Sequence, residues 1–148
     1  MKTLYLLLAF AVLTVGACKK EDQATIDRDI ILSYLEANNL TAEEDPSGLF
    51  YIIDVPGGQQ KPTLANSVTV KYKGYLTNGT VFDETTNGNT ATFPLSNLIA
   101  GWQIGIPKFG RGGKGVLIVP SSLGYGSRRV GSIPANSVLV FDMELVNF

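Results

Sequence analysis

The feature that most constrains the fold is a run of alternating side chains that ends at an Asn-Gly dipeptide. In residues 68–76, the valines and Tyr72 fall on one face of an extended strand, and the lysines fall on the other face. Asn78-Gly79 follows, and this dipeptide favours the two-residue turn of a β-hairpin. The chain is therefore predicted to return through residues 80–83 as an adjacent antiparallel strand.

Three further segments have the composition of strands. Residues 49–55 are rich in β-branched and aromatic side chains and end at a Pro-Gly-Gly turn, and residues 114–119 form a short apolar run. The last strand is predicted in residues 137–148. Its inward-facing side chains, separated by a bulge, are predicted to be Val138, Val140 and Met143. With one short internal helix, these segments predict an α+β domain built on a single antiparallel sheet.

The internal helix contains the only tryptophan, Trp102. It is predicted to begin near Leu98 and to end before Pro107, because proline inside a helix loses a hydrogen bond and clashes with the preceding turn. Gly101 allows the backbone to approach its neighbours closely. Two roles are open for the indole ring, which fits either the hydrophobic core or the floor of an apolar pocket.

Residues 1–17 have the pattern of an export signal. Lys2 supplies a positive start, and a nearly unbroken apolar run follows that is short for a membrane span. The run ends at Val15-Gly16-Ala17-Cys18, which resembles the lipobox of bacterial lipoproteins, where the cysteine is lipidated and becomes the mature N-terminus. The alternative is an ordinary cleavable signal beside an unmodified thiol.

The predicted lipid anchor implies a location in the bacterial cell envelope, attached to the outer membrane on its periplasmic side or at the cell surface. Residues 18–25 are polar and charged, which suits a tether. Within them, Lys20-Glu21-Asp22 resembles a short acidic signal for the outer face of that membrane.

A short helix and loop are predicted in residues 26–46. Thr25 is predicted to cap the helix, and Asn38-Asn39 to end it. The apolar positions recur at helical spacing and are Ile26, Ile30, Ile31, Tyr34 and Leu35. Because the stripe is short for a dimerising stalk, we expect the helix to pack on its own domain and the protein to be a monomer.

Composition excludes several classes of chemistry. The chain of 148 residues contains no histidine and one cysteine, so histidine-activated nucleophiles and internal disulfides are ruled out. A metal site would have only carboxylate options, and neither a metal nor a cofactor is expected. The formal charge is −1, or −2 for a chain that starts at Cys18 and so lacks Lys2, and neither value suggests a nucleic-acid partner.

Six short motifs occur in order along the second part of the chain. They are VKYKG at 70–74, GTVFD at 79–83, LIAGW at 98–102, LGYG at 123–126, IP at 133–134 and LVFDMEL at 139–145. Together, over residues 48–148, they resemble the FK506-binding-protein class of peptidyl-prolyl isomerases. The resemblance implies a twisted antiparallel sheet wrapped around one short α-helix. In this chain, the short N-terminal helix predicted from the apolar spacing precedes that domain. The isomerase domain is then predicted to occupy residues 47–148.

The resemblance also implies a set of site residues. Catalytic positions fall on Asp83, Tyr125, Ile99 and Trp102. Substrate contacts fall on Tyr72, Phe82, Phe93, Leu98, Ile133 and Phe141. In the family, the tryptophan forms the pocket floor and the aromatic rings form the walls. The backbone N–H of Ile99 and the hydroxyl of Tyr125 would be the hydrogen-bond donors to the ligand.

The implied reaction, rotation about X–Pro bonds in exported polypeptides, needs no nucleophile. Its barrier of about 18–20 kcal/mol arises because the planar amide loses its resonance. An apolar pocket with fixed donors can favour the twisted state over both planar states. Two roles are open for Asp83, which is either catalytic or a buried carboxylate anchored by a neighbouring donor.

Two other classes of function are also open. One is a peptide-binding module or chaperone that has the pocket without useful catalysis, and the other is a lipoprotein scaffold. The aromatic set argues against a mere scaffold. The loop at 126–132 carries Arg128 and Arg129, which are predicted to favour peptides with acidic residues outside the proline site.

Overall fold

The computed structural model describes residues 22–148, and its main element is one seven-stranded antiparallel sheet. The helices and strands are α1 (Gln23–Ala37), β1 (Glu43–Glu44), β2 (Phe50–Val55), β3 (Ser67–Leu76), β4 (Val81–Glu84), β5 (Ala91–Pro94), α2 (Ala100–Gly105), β6 (Gly113–Val119) and β7 (Leu139–Asn147). The predicted signal segment, Cys18 and residues 19–21 of the tether lie outside the described residues. No helix within residues 22–148 is both long enough and apolar enough to cross a membrane.

The strands are ordered β1-β2-β6-β7-β3-β4, and β5 pairs with β3 on the edge that β4 also uses. The predicted hairpin is confirmed, since β3 turns into β4 through Gly79, whose φ of 87° suits glycine. The fold class predicted from the sequence, an α+β domain with one antiparallel sheet and short helices, is also confirmed.

The central strands bury one face along its length and also part of the other face, which corrects the predicted inward set on the last strand. On one face of β7, alternate side chains from Leu139 to Leu145 enter the main core around α2. On the opposite face, Val138 and Val140 lie beneath α1. The predicted bulge between Val140 and Met143 is therefore wrong, because strict alternation places them on opposite faces. The irregularity in the pairing with β3 instead lies between Thr69 and Val70.

Helix α1 packs on its own sheet, as predicted. Ile31 and Leu35 are buried against β2, β6 and β7, and Tyr34 packs partly buried against the same cluster. Ile30 is 37% exposed, so only part of the predicted apolar stripe faces the sheet.

The start of the helix is a correction. Asp22, rather than Thr25, is the N-cap, and its side chain accepts a hydrogen bond from the Thr25 N–H at 2.8 Å. The helix therefore begins at Gln23, three residues before the predicted start.

Two other boundaries differ from the sequence prediction. Helix α2 begins at Ala100 rather than near Leu98, and Pro107 lies in a 3-10 turn, Ile106–Lys108, that follows it directly. Proline is tolerated there because the first residues of a helical turn need no donor N–H. The acidic segment after α1 was expected to be a loop, but Glu43–Glu44 pairs with β2 as a short edge strand.

Candidate functional site

A cavity of about 370 Å³ opens beside α2 on the main-core side of the sheet. Strands β3, β4, β5 and β7 supply its aromatic walls, and the segment between β6 and β7 supplies its rim. Its lining residues are Tyr72, Phe82, Asp83, Phe93, Leu98, Ile99, Trp102, Tyr125, Val130, Gly131, Ser132, Ile133 and Phe141. The structure thus brings all ten sequence-predicted catalytic and substrate-contact residues to one cavity.

The indole ring of Trp102 lies at the centre of the aromatic set. It is 4% exposed and makes edge-to-face contacts with Tyr72 and Phe141, at centroid distances of 5.1 and 5.2 Å, and with Phe93 at 6.5 Å. Phe82 in turn packs edge-to-face on Phe141 at 5.6 Å. Both roles considered for the tryptophan therefore hold at once, because the ring belongs to the core and also lines the cavity.

Helix α2 can hold the indole at this depth because it lies unusually close to β6. A β-carbon built on Gly101 would be 2.5 Å from a methyl carbon of Val119, so only glycine fits without movement. The segment before the helix is fixed by Gln103, whose side-chain amide donates to the carbonyl of Leu98 at 2.7 Å. Ile99 is the N-cap residue of α2, so it lies where the helix leaves backbone donors without intrahelical partners.

Asp83 is held by Tyr72. The tyrosine hydroxyl donates a hydrogen bond of 2.5 Å to the Asp83 carboxylate. Burial, together with this carboxylate, raises the pKa of the Tyr72 hydroxyl above its ordinary value. One alternative for Asp83 was a buried carboxylate anchored by a neighbouring donor. The donor is present, since it is Tyr72, but the expected burial is wrong because Asp83 is exposed.

Tyr125 comes to the cavity on the loop that follows β6. This loop begins with the 3-10 turn Ser121–Leu123, and the Ser121 carbonyl accepts hydrogen bonds from the N–H groups of Gly124 and Gly126 on either side of the tyrosine. The loop is thereby folded back on its first residue, which limits where the Tyr125 side chain can lie.

Sequence reasoning missed three cavity residues, which are Val130, Gly131 and Ser132. They form a tight turn in which Val130 and Ile133 make an antiparallel bridge, with Gly131 at a φ of 55°. An available signal was the Gly-Ser pair between two β-branched residues, which is typical of a two-residue turn. Arg128 and Arg129, which precede this turn, are exposed beside the cavity.

The arrangement is suited to holding an apolar ring beside a polar group. Aromatic and aliphatic side chains dominate the lining, and Asp83 is its only residue of the Asp, Glu, Lys or Arg type. Within residues 22–148, no cluster of three or more histidine, cysteine or acidic residues could hold a metal ion.

Comparison with known proteins gives consistent relatives. Residues 58–146, more than half of the chain, match the family described as FKBP-type peptidyl-prolyl cis-trans isomerase. A similar protein is the FKBP-type isomerase FkpA of Buchnera aphidicola, 50% identical over 103 residues, which are 68% of this chain and 41% of the relative. The chain thus spans about two fifths of that relative's length.

Solved structures agree in fold. The crystal structure of FkpA from Escherichia coli is similar with a TM-score of 0.71 and 33% identity, over 84% of this chain and 62% of that one. A peptidyl-prolyl cis-trans isomerase of Pseudomonas syringae pv. tomato gives the same TM-score with 26% identity, over 86% of this chain and 96% of that one.

Proposed function

Because the chain belongs to the FKBP-type peptidyl-prolyl cis-trans isomerase family, we propose that it catalyses rotation about X–Pro bonds in polypeptide clients. The observation that carries this proposal is the aromatic cavity over Trp102, which combines an apolar lining with polar groups at its edge. The proline ring occupies the space between the aromatic walls, and the preceding carbonyl lies towards the rim.

In the proposed mechanism the chain's own residues act without forming a covalent bond. Removing the amide from water disfavours the more polar planar states, since resonance places charge on the carbonyl oxygen. The Tyr125 hydroxyl and the N–H of Ile99 donate to the bound peptide in its twisted geometry. Asp83 fixes the Tyr72 wall through its hydrogen bond, which is a positioning role.

The test measures the isomerisation rate of a short X–Pro peptide by NMR exchange. Uncatalysed isomerisation takes tens to hundreds of seconds at 25 °C, so catalysis is easily detected. We expect acceleration, with a preference for an apolar residue before proline because Leu98, Ile99 and Phe93 line the cavity. A protein that binds the peptide and leaves its rate unchanged would instead be a non-catalytic proline-peptide binder or chaperone.

We further propose that Cys18 is lipidated and holds the protein on the outer membrane. The lipobox-like sequence before it supports the proposal. Replacing Cys18 with serine is expected to release the protein into the soluble fraction. A wild-type protein that is already soluble would refute lipidation.

The side of the membrane requires a separate test, for which we propose that Lys20-Glu21-Asp22 directs the protein outward. Asp22 also caps α1, so its substitution would disturb the helix. The informative change is therefore Glu21→Lys, followed by protease treatment of intact cells. Surface exposure that is lost in the variant supports the signal, and unchanged exposure contradicts it.

The protein is also proposed to act as a monomer. The apolar positions Ile31 and Leu35 of α1 are buried within the same chain, so they are not available to a helix-mediated dimer. Light scattering of the Cys18→Ser protein is expected to give the mass of one chain, and a mass of two chains would contradict the proposal.

A further inference from the structure

A buried carboxylate on α1 reaches the loop that carries Tyr125. Asp27 is 1% exposed, and its Oδ2 accepts hydrogen bonds from the Ser121 backbone N–H at 2.7 Å and from the Ser121 hydroxyl at 2.6 Å. Its Oδ1 accepts from the side-chain amide of Gln23 at 2.7 Å. In the described part of the chain, Asp27 and Ser121 are the only buried residues with a charged or hydroxyl side chain.

A carboxylate is not needed merely to dock the helix. Ile31 and Leu35 already bury an apolar face of α1 on the sheet. Removing a carboxylate from water is costly unless several donors replace the lost hydration, and here the Ser121 N–H, the Ser121 hydroxyl and the Gln23 amide do so. In addition, the hydrogen bonds of the carboxylate fix the orientation of a single residue, Ser121.

Ser121 passes this constraint to the tyrosine. Its carbonyl accepts from the N–H of Gly124 at 3.0 Å and from the N–H of Gly126 at 2.8 Å. The carbonyl of Gly126 accepts in turn from the N–H of Asn136 at 2.8 Å. Tyr125 therefore lies between Gly124 and Gly126, whose N–H groups are both hydrogen-bonded to the Ser121 carbonyl. Ser121 is in turn oriented by Asp27.

We propose that Asp27 is a positioning residue that sets the place of the Tyr125 hydroxyl at the cavity, an inference that rests on the proposed isomerase function. Asp27 does not line the cavity, and it lies outside residues 58–146, the segment that matches the family. The N-terminal helix α1 then contributes to the active site indirectly, because it orients the loop that brings the Tyr125 hydroxyl to the substrate.

The test is a double-mutant cycle on the full chain. Asp27→Asn keeps the size of the side chain but removes its charge, so the two bonds from Ser121 are made to a neutral amide oxygen and lose their charge assistance. The new NH₂ group opposes the Ser121 donors if the amide is turned towards them. We expect kcat/KM to fall about 3- to 10-fold, mainly through kcat, because small displacements of a catalytic group are costly. In a Tyr125→Phe background, which lacks the hydroxyl, Asp27→Asn should change kcat/KM by less than about two-fold. Equal losses in both backgrounds, or no loss in the wild-type background, would overturn the inference.

Two variants on α1 control for a general effect of the helix. Asp29→Asn removes the same charge from an exposed position, and Leu35→Ala weakens helix docking about two helical turns beyond Asp27. Both should retain wild-type kcat/KM at a temperature where they are folded. If Asp27→Asn does not fold, Ser121→Ala replaces it, since this change removes only the 2.6 Å hydroxyl bond, and a milder loss of about two- to three-fold is expected.

A second readout is independent of activity. Amide exchange at Gly126, whose N–H is bonded to the Ser121 carbonyl, should accelerate in Asp27→Asn and remain unchanged in Leu35→Ala. Unchanged exchange in Asp27→Asn would overturn the anchoring step. An inactive wild-type protein would refute the proposed function and with it the catalytic part of this inference, whereas the exchange result would still decide whether Asp27 orders the loop.

Discussion

Single side chains of the same type have different tasks in this domain, and the phenylalanines show it best. Phe141 and Phe109 both belong to the main core, at 5% and 0% exposure, but only Phe141 lines the cavity. Replacing either with leucine should lower the free energy of unfolding by about 1–3 kcal/mol through imperfect repacking.

Activity should separate the two variants. Phe141→Leu is expected to lower kcat/KM about ten-fold, because it removes an aromatic wall beside Trp102, whose ring is 5.2 Å away. Phe109→Leu, the matched control, should retain activity at a temperature where both proteins are folded. Equal losses of activity in Phe141→Leu and Phe109→Leu would mean that the aromatic wall formed by Phe141 contributes to stability and has no specific part in catalysis.

Arg128 and Arg129 lie exposed beside the cavity and should affect substrate choice through long-range attraction. A peptide with acidic residues outside the X–Pro pair is expected to have a several-fold higher kcat/KM than a basic peptide at low salt. The difference should shrink in 0.5 M salt because exposed charges are screened. Equal turnover of the two peptides at low salt would leave these arginines with no role beyond solubility.

At the scale of helices and strands, the contact of α2 with β6 decides where the indole lies. Gly101→Ala would place a methyl group against Val119, so we expect a loss of about 1–3 kcal/mol in stability together with reduced kcat/KM. Gly79→Ala is a suitable control. It strains the hairpin at a φ of 87° but has no neighbour within 4 Å, so it should lower stability by about 1 kcal/mol and leave kcat unchanged. Full activity of Gly101→Ala would show that the site tolerates a displacement of α2, and of Trp102 with it, away from β6.

An ion pair joins the turn after α2 to the loop between β1 and β2. Lys108 lies 2.7 Å from Asp45 and 4.3 Å from the centre of the Tyr51 ring. The hydrogen bond from Lys108, supported by those from Ser47, lowers the pKa of Asp45 from 3.8 to about 2. A lowered carboxylate pKa means that the stabilisation is fully present above about pH 4 and is lost as the pH falls through about 2.

Asp45→Asn should therefore lower the free energy of unfolding at pH 7 by no more than about 1 kcal/mol, since the pair is partly solvated. Chemical denaturation at several pH values checks this prediction. The difference between variant and wild type should narrow as the pH falls from 4 towards 2. A difference that stays constant to pH 2 would show that the charge of Asp45 is not its cause.

How far the sequence predicts such elements depends on whether the determining interaction is local. The β3–β4 hairpin was predictable because alternation and the Asn-Gly turn act on adjacent residues. The bond between Asp27 and Ser121 joins residues 94 positions apart, and no local pattern signals it. The cap of α1 was missed because Asp22 and Thr25 are both good caps, and only the geometry shows that Asp22 bonds the Thr25 N–H.

For the molecule as a whole, the absence of histidine makes a clear prediction about pH. The proposed reaction transfers no proton, and the raised pKa of Tyr72 moves its ionisation further above neutrality. The kcat/KM measured by NMR exchange should therefore vary by less than about two-fold between pH 6 and 9. A bell-shaped profile within this range would indicate acid–base chemistry and contradict the mechanism.

The position of β7 has a consequence for how the polypeptide reaches this structure. It is the last strand in chain order, but it lies between β6 and β3 in the middle of the sheet. Until it is synthesised, β1-β2-β6 and β3-β4-β5 are separate ribbons, each with an open edge that could pair with another chain. Sheets closed by such distant partners fold slowly, in milliseconds to seconds. A chain truncated before Leu139 is therefore expected to aggregate, since neither ribbon has its central partner.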